Sequence, residues 1–126
     1  MRTNAGRDHQ ARVMGDHSSD GSGNYASACW IGLTANSASP GATDTTLTGE
    51  ITGGTLARAK GIFAHTNGAA TYTVTKSFTS DQTVTVAKVG VFNAASGGTL
   101  CFETLLSSSV NLRSGDTVQI TQTITI

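Results

Sequence analysis

The residues that could carry chemistry are few, and their spacing matches no metal-binding signature. The chain has three histidines, namely His9, His17 and His65. The first two lack the i, i+4 spacing that places two metal ligands on one face of a helix. Asp16, Asp20 and Asn24 carry oxygens at every fourth residue, whereas a calcium-binding EF-hand loop needs them at every second residue and a closing Glu. We therefore predict that the chain has no metal site.

Paired carboxylates for glycoside cleavage are equally poorly supported. The acidic residues beyond the N-terminal region are Asp44, Glu50, Asp81, Glu103 and Asp116. All except Glu103 fall in or beside expected loops, where acids are ordinary. Glu103 lies within an expected strand, as do Lys76 and Lys88. We predict that Glu103 forms a structural ion pair with one of these lysines and takes no part in glycoside cleavage.

Nucleophilic and cofactor chemistry also lack a signature. The sequence has no Gly-x-Ser-x-Gly elbow and no cysteine beside a histidine in a local motif. We predict that the protein is not an enzyme and has no catalytic residue and no cofactor. The polar segment Met1-Arg2-Thr3-Asn4 does not resemble a signal peptide. Cys29 and Cys101 are therefore expected to be buried free thiols, as in a chain that folds in a reducing compartment. A disulfide or a metal pair is the alternative, but no spacing signature favours it.

The charge balance narrows the classes of partner. Formal net charge is zero and only 13% of residues are charged. A nucleic-acid-binding protein would need a surplus of Lys and Arg, and no apolar stretch is long enough to cross a membrane. We predict neither a nucleic-acid nor a membrane partner. A near-neutral surface repels other copies of itself only weakly, which favours self-association.

Residues 1–24 differ in composition from the rest and are interpreted as an extended N-terminal arm with a flexible linker. A short helix is expected between Asn4, as the N-cap, and Gly15, as its left-handed stop. Arginines recur every fifth residue, and their planar guanidinium groups suit bidentate contacts with a partner's carboxylates. The predicted partner-contact residues of the arm are Arg2, Arg7, Arg12, Val13 and Met14.

Residues 25–126 have the alternating pattern of an all-β body. Strands are expected at 25–33, 47–51, 56–65, 71–78, 83–92, 99–106 and in the final segment after the turn at 114–116. Asn67-Gly68 predicts a hairpin turn, and a switch in the apolar face near Lys88 predicts a β-bulge or a strand buried on both faces. The fold class is an all-β sandwich or small barrel of about seven to eight antiparallel strands.

Two aromatic residues leave one binding function open. Tyr25 and Trp30 begin the first expected strand. A single Trp at this place in a sandwich is more often part of the core, and we favour that interpretation. If exposed, both rings could stack on sugars, as in carbohydrate-binding modules.

The chain resembles small structural proteins encoded among the virion genes of tailed bacteriophages. The resemblance lies in TTLTGEI at 45–51, LARA at 56–59, AHT at 64–66, VGVFNAASGGT at 89–99 and FETLL at 102–106. It extends from GRD and VMG in the arm to SGDT at 114–117. The resemblance implies a virion protein made in the host cytoplasm, and it implies no active site.

A head decoration, or cement, protein is our first functional hypothesis. The arm would dock on the major capsid protein or other virion proteins, and the body would self-associate around a local symmetry axis. A tail or baseplate accessory protein is the close alternative, and a carbohydrate-binding adhesion module on the particle surface is the third.

Overall fold

A computed structural model describes residues 1–15 and 27–125, with side chains for all of these except residues 12–15. Helix α1 spans Asn4–Gly15, and a short 3₁₀ turn spans Gly54–Leu56. The strands are β1 (Trp30–Thr34), β2 (Ala59–Lys60), β3 (Ile62–His65), β4 (Thr71–Thr79), β5 (Val84–Phe92), β6 (Leu100–Leu112) and β7 (Thr117–Thr125).

The seven strands form two sheets. Sheet A has four strands in the order β2-β1-β5-β6, and sheet B has three in the order β3-β4-β7. Every pairing is antiparallel. The sheets remain separate, so the expected all-β sandwich is confirmed and the barrel alternative is wrong.

The core lies between the sheets because alternate residues of each strand point inward. Sheet B contributes Val74, Phe78, Ile120 and Ile124, all of them buried as the sequence pattern predicts. Sheet A contributes Ile31, Leu33, Val86 and Val89. Gln122 interrupts the apolar row of β7, and its amide oxygen accepts a hydrogen bond from the Thr104 hydroxyl at 2.9 Å.

Strand β5 shows both features that the sequence pattern offered as alternatives. Its pairing with β6 shifts register between Val86 and Lys88, which is the expected bulge. The strand is also buried on both faces from Val86 onward. A second cluster of Leu47, Phe92 and Leu100 covers the outer face of sheet A.

Several expected strand boundaries are wrong, including the start of the first strand, since β1 begins at Trp30. The segment 56–65 is not one strand, because Gly61 ends β2 in sheet A and leads directly to β3 in sheet B. The backbone N–H of Gly61 donates to the Cys29 carbonyl at 2.7 Å. The segment 47–51 makes only an isolated bridge between Thr34 and Glu50. Strand β6 runs on to Leu112, beyond its expected end.

The first three residues extend sheet A beyond β6. The Thr3 N–H donates to the Cys101 carbonyl at 3.1 Å, and the Glu103 N–H donates to the Met1 carbonyl at 2.8 Å. Helix α1 is confirmed, but its N-cap is Thr3, not Asn4, because the Thr3 hydroxyl accepts from the Gly6 N–H at 2.9 Å. The division at residue 24 stays a prediction, and the expected linker at 16–24 lies outside the described residues.

Candidate functional site

A buried polar cluster lies on the outer face of sheet A. Lys88 of β5 and Glu103 of β6 are diagonal neighbours in the strand pairing, since Lys88 faces Leu105 and Glu103 faces Gly90. The Lys88 ammonium nitrogen is 3.9 Å from Oε1 of Glu103, and their side chains are 4% and 1% exposed. This confirms the predicted structural ion pair and identifies Lys88 as its cation.

The loop after β1 covers this pair. The Lys88 ammonium donates to the Ala38 carbonyl at 3.1 Å and lies 3.5 Å from Oδ1 of Asn36. Oδ1 of Asn36 also accepts from the Ala38 N–H at 3.0 Å, and the Asn36 N–H donates to the Thr34 hydroxyl at 3.1 Å. The loop is therefore fixed over Lys88 by contacts of both the backbone N–H and the side-chain oxygen of Asn36.

The protonation of Glu103 is unusual for a carboxyl group. Neither of its oxygens accepts a hydrogen bond from any described residue, although the Asp44 carboxylate lies close enough to interact. Burial, and then the neighbouring Asp44, raise the pKa of Glu103 to about 7, against the opposing effect of Lys88. When protonated, Glu103 can donate to Asp44, and this hydrogen bond together with the Gly41 N–H holds the pKa of Asp44 below its usual value.

A second ion pair lies over the outer face of sheet A. Arg58 makes a bidentate contact with Glu50, Nε to Oε2 at 2.8 Å and Nη2 to Oε1 at 2.6 Å. Its Nη1 also donates to the carbonyls of Ala94 at 3.1 Å and Gly97 at 2.8 Å, and the guanidinium lies 3.4 Å above the centre of the Phe92 ring. Arg58 thus joins two loops to the sheet.

Sheet B presents a different surface, which carries no formal charge along its outer face. The outward positions follow from the strand register. On β4 they are Thr71, Thr73, Thr75, Ser77 and Thr79, and on β7 they are Thr117, Gln119, Thr121, Thr123 and Thr125. Hydroxyl pairs link the two strands, for example Thr79 with Thr117 at 3.2 Å.

The edge strand of sheet B is apolar and exposed. All four residues of β3 are exposed, and Ile62 and Phe63 are 73% and 62% exposed. The Phe63 ring lies 5.5 Å from that of Tyr72 and 6.5 Å from that of His65, measured between ring centres. Large apolar side chains that remain in water at a sheet edge mark an interaction surface.

A cavity of about 580 Å³ separates helix α1 from the ends of the strands. His9, Cys29, Phe63, Tyr72 and Cys101 are among its lining residues. The two cysteines are buried and unpaired, which confirms the prediction of free thiols. Burial raises the pKa of the Cys101 thiol to about 11 and raises the pKa of Tyr72, so both groups keep their protons at neutral pH.

The structure does not gather the predicted contact residues into one site. Arg2 pairs with Phe102 through its backbone, and its guanidinium donates to the Gln10 side chain. Arg7 is exposed on α1. The side chains of Arg12, Val13 and Met14, and all of Tyr25, lie outside the described residues. Trp30 is half-buried and packs against both hydrophobic clusters. The contact and stacking roles of these residues stay predictions.

The exposed apolar edge and the loop over Lys88 were missed by the sequence analysis. Ile62 and Phe63 are consecutive, so one of them had to point away from the core in any strand. That signal was available. Asn36 and Asp44 gave no comparable signal, because their approach to Lys88 and Glu103 depends on the path of the loop.

Together these features define an all-β sandwich protein whose smaller sheet has an open, apolar edge. Residues 11–125 match the family model described as podophage GP4 fiber I protein gp80. The match spans nearly the whole chain, so the chain belongs to this family. No curated protein matches it.

Membership of this family makes the chain a structural component of a bacteriophage virion, which confirms the resemblance at that level. The family description names a fibre protein, which gives no support to head decoration and agrees better with the tail or baseplate alternative. Within the described part of the chain, no helix is long and apolar enough to cross a membrane, and no three potential ligands cluster as a metal site would require.

Proposed function

We propose that this protein is a non-enzymatic structural subunit of a tail fibre or its attachment apparatus. The observation that carries the proposal is the match of residues 11–125 to a family described as a podophage fibre protein. Its partners are neighbouring virion proteins and further copies of itself. The head decoration hypothesis, with the major capsid protein as partner, is the less supported of the two virion locations.

The surface of sheet B supports a second copy of the chain as a partner. The free backbone edge of β3 can pair with the same edge of another copy in antiparallel fashion, which gives the self-complementary contact of a two-fold dimer. Ile62 and Phe63 would be buried on opposite faces of that pair, because they face Thr75 and Val74 within the sheet. The adjoining outer face carries hydroxyls that both donate and accept, so the β3 edges of two copies can approach each other without charge repulsion.

The size of this edge predicts weak association in isolation. Burying one large apolar side chain is worth about 1.5–3 kcal/mol, and each copy offers two at β3. Association costs about 4–15 kcal/mol in lost freedom of motion. The gain and the cost are therefore of similar size. Stable pairing needs the high local concentration that a multi-copy particle provides.

The location is tested by labelling purified particles with antibodies coupled to gold and imaging them by electron microscopy. Label confined to the fibres or the tail is the expected result, with a few copies per particle. Label spread over the head, in numbers that match the capsid lattice, would overturn the proposal and restore the decoration hypothesis. An antibody against the major capsid protein provides the positive control for head labelling.

Carbohydrate binding stays a second candidate because the aromatic group at Phe63, Tyr72 and His65 is exposed enough to stack on a sugar. Binding to a glycan array that is lost in Phe63→Ala would support this candidate. Array binding that is lost only with Trp30→Ala would place the site where the sequence analysis expected it.

A further inference from the structure

Three groups of complementary reactivity meet in the cluster on sheet A. They are the primary amine of Lys88, the side-chain amide of Asn36 and the carboxyl group of Glu103. The Lys88 nitrogen is 3.5 Å from Oδ1 of Asn36 and 3.9 Å from Oε1 of Glu103. Residues 36 and 88 are 52 positions apart in the sequence, so only the fold brings the amine and the amide together.

We propose that Lys88 and Asn36 become joined by an intramolecular isopeptide bond, with Glu103 transferring the protons. The bond would connect Nζ of Lys88 to Cγ of Asn36 and would tie the loop after β1 covalently to β5.

The reaction balances without any further reactant. A proton first passes from the Lys88 ammonium to the Glu103 carboxylate, and the lone pair of the resulting amine attacks Cγ of Asn36. Glu103 then donates its proton to the amide nitrogen of Asn36, which leaves as ammonia, and takes the remaining proton from the attacking nitrogen. One carbon–nitrogen bond forms and one breaks, nothing is oxidised or reduced, and Glu103 is protonated both before the attack and after it.

The surroundings favour each step. Both side chains are almost fully buried, and burial raises the pKa of Glu103 to about 7, so its carboxyl group can hold the proton that passes from Lys88. The Ala38 N–H donates to Oδ1 of Asn36 and draws electrons from Cγ, as the donors of an oxyanion hole do. Fixed proximity replaces a bimolecular encounter and so lowers the barrier to attack.

The amide of Asn36 is the more reactive acceptor among the carbonyl groups near Lys88. The Asp44 carboxyl has a pKa below its usual value and is ionised at neutral pH, and an anionic carboxylate resists attack by an amine. The Ala38 carbonyl belongs to the backbone, where attack would break the chain. Of these three groups, only Asn36 can lose a neutral leaving group with the chain intact.

The intact mass of the purified, denatured full-length protein tests the proposal directly. We expect a mass lower than that of the sequence by one ammonia molecule. A mass equal to that of the sequence, after incubation of the folded protein at neutral pH, would overturn the proposal. Loss of one water molecule instead would place the bond on a carboxyl group and overturn the assignment of Asn36.

Digestion with trypsin separates this bond from a cyclised asparagine, which also loses ammonia. Trypsin does not cleave after a modified lysine, so the peptides 13–58 and 77–113 should appear as one branched species. A cyclised Asn36 within an unbranched peptide 13–58, with cleavage after Lys88, would refute the bond.

Variants assign the roles of the three groups. Lys88→Arg and Asn36→Ala should each restore the full sequence mass, and Glu103→Gln should restore it or slow the loss of ammonia by at least 100-fold. The matched control is Lys76→Arg, which changes a lysine on β4 and should leave the loss unchanged. Persistence of the ammonia loss in Lys88→Arg would contradict the proposal, whether or not that variant is destabilised.

Discussion

Gly61 is the point at which the chain leaves sheet A and enters sheet B, and we predict that Gly61→Ala destabilises the protein strongly. A Cβ atom at this position would lie 2.4 Å from Cγ1 of Val74, 3.2 Å from Cδ1 of Ile31 and 3.2 Å from the Thr75 carbonyl oxygen. Val74 and Ile31 are fully buried, and Val74 is stiff at χ1 because it is β-branched. Val74 cannot move its Cγ1 aside without leaving its preferred rotamer or shifting the backbone.

The expected cost follows from overpacking of a filled core. Forcing one extra carbon into such a site costs about 1–3 kcal/mol, and the 2.4 Å contact with a stiff side chain places Gly61→Ala near the upper end. For a domain of this length, about 2–3 kcal/mol corresponds to a fall in Tm of roughly 6–15 °C. Urea denaturation followed by circular dichroism would measure the free energy of unfolding.

Gly53→Ala is the matched control, since a Cβ there would meet nothing within 4 Å and the residue has an ordinary extended φ of −115°. It should change stability by less than about 0.5 kcal/mol. Val74→Ala removes the atom that clashes, so it should cost less in the Gly61→Ala background than in the wild type. Equal stability of the two glycine variants would refute the packing argument.

Three further predictions concern the two surfaces. Replacing Ile62 and Phe63 by Thr should weaken self-association at least tenfold in sedimentation velocity. The control Leu105→Thr, on β6 and 39% exposed, should leave self-association unchanged. An equal loss of self-association in the two variants would place the interface elsewhere. Glu103 has a pKa of about 7 in the folded protein, above its usual 4.5. Its protonation therefore adds at most about 3 kcal/mol to the free energy of unfolding. This contribution is complete below pH 4.5 and is lost as the pH rises through 7. Glu103→Gln should flatten that fall in thermal melts, and an unchanged slope would rule out Glu103 as its source. Arg58→Lys should cost about 1–2 kcal/mol in urea denaturation, because lysine cannot make the bidentate contact with a carboxylate. The exposed Arg113 provides the comparison, Arg113→Lys, and an equal cost there would contradict the argument.

The strand pattern was predictable wherever one residue in two is apolar. Val74 and Phe78 on β4, and Ile120 and Ile124 on β7, are buried at alternate positions, because a strand with one solvated face must show that period. The bulge in β5 was predictable because the apolar face changes at Lys88. The same pattern placed Glu103, Lys76 and Lys88 within strands and so predicted an ion pair of Glu103 with one of the two lysines.

The features that the sequence did not predict depend on contacts between segments that are separate in the sequence. The change of sheet at Gly61 leaves no break in the apolar pattern, since the glycine is needed to avoid atoms of Val74, Ile31 and Thr75, which lie on other strands. Thr3 competes with Asn4 for the N-cap, and the choice is made by the pairing of residues 1–3 with β6. Asn36 reaches Lys88 only because the loop folds back across sheet A, and no local signal encodes that path.

Strand β3 makes few contacts with the rest of the described structure. All four of its side chains are exposed, and its only described strand partner is β4, through four residue pairs. Its backbone amides should therefore exchange with deuterium faster than those of β5, which pairs on both sides. A strand that opens easily can adjust its twist to the edge strand of a second copy. Ordering β3 costs free energy, and this cost keeps the contact between the copies reversible. The subunits could then rearrange while a particle is being built and become fixed only when many contacts have formed.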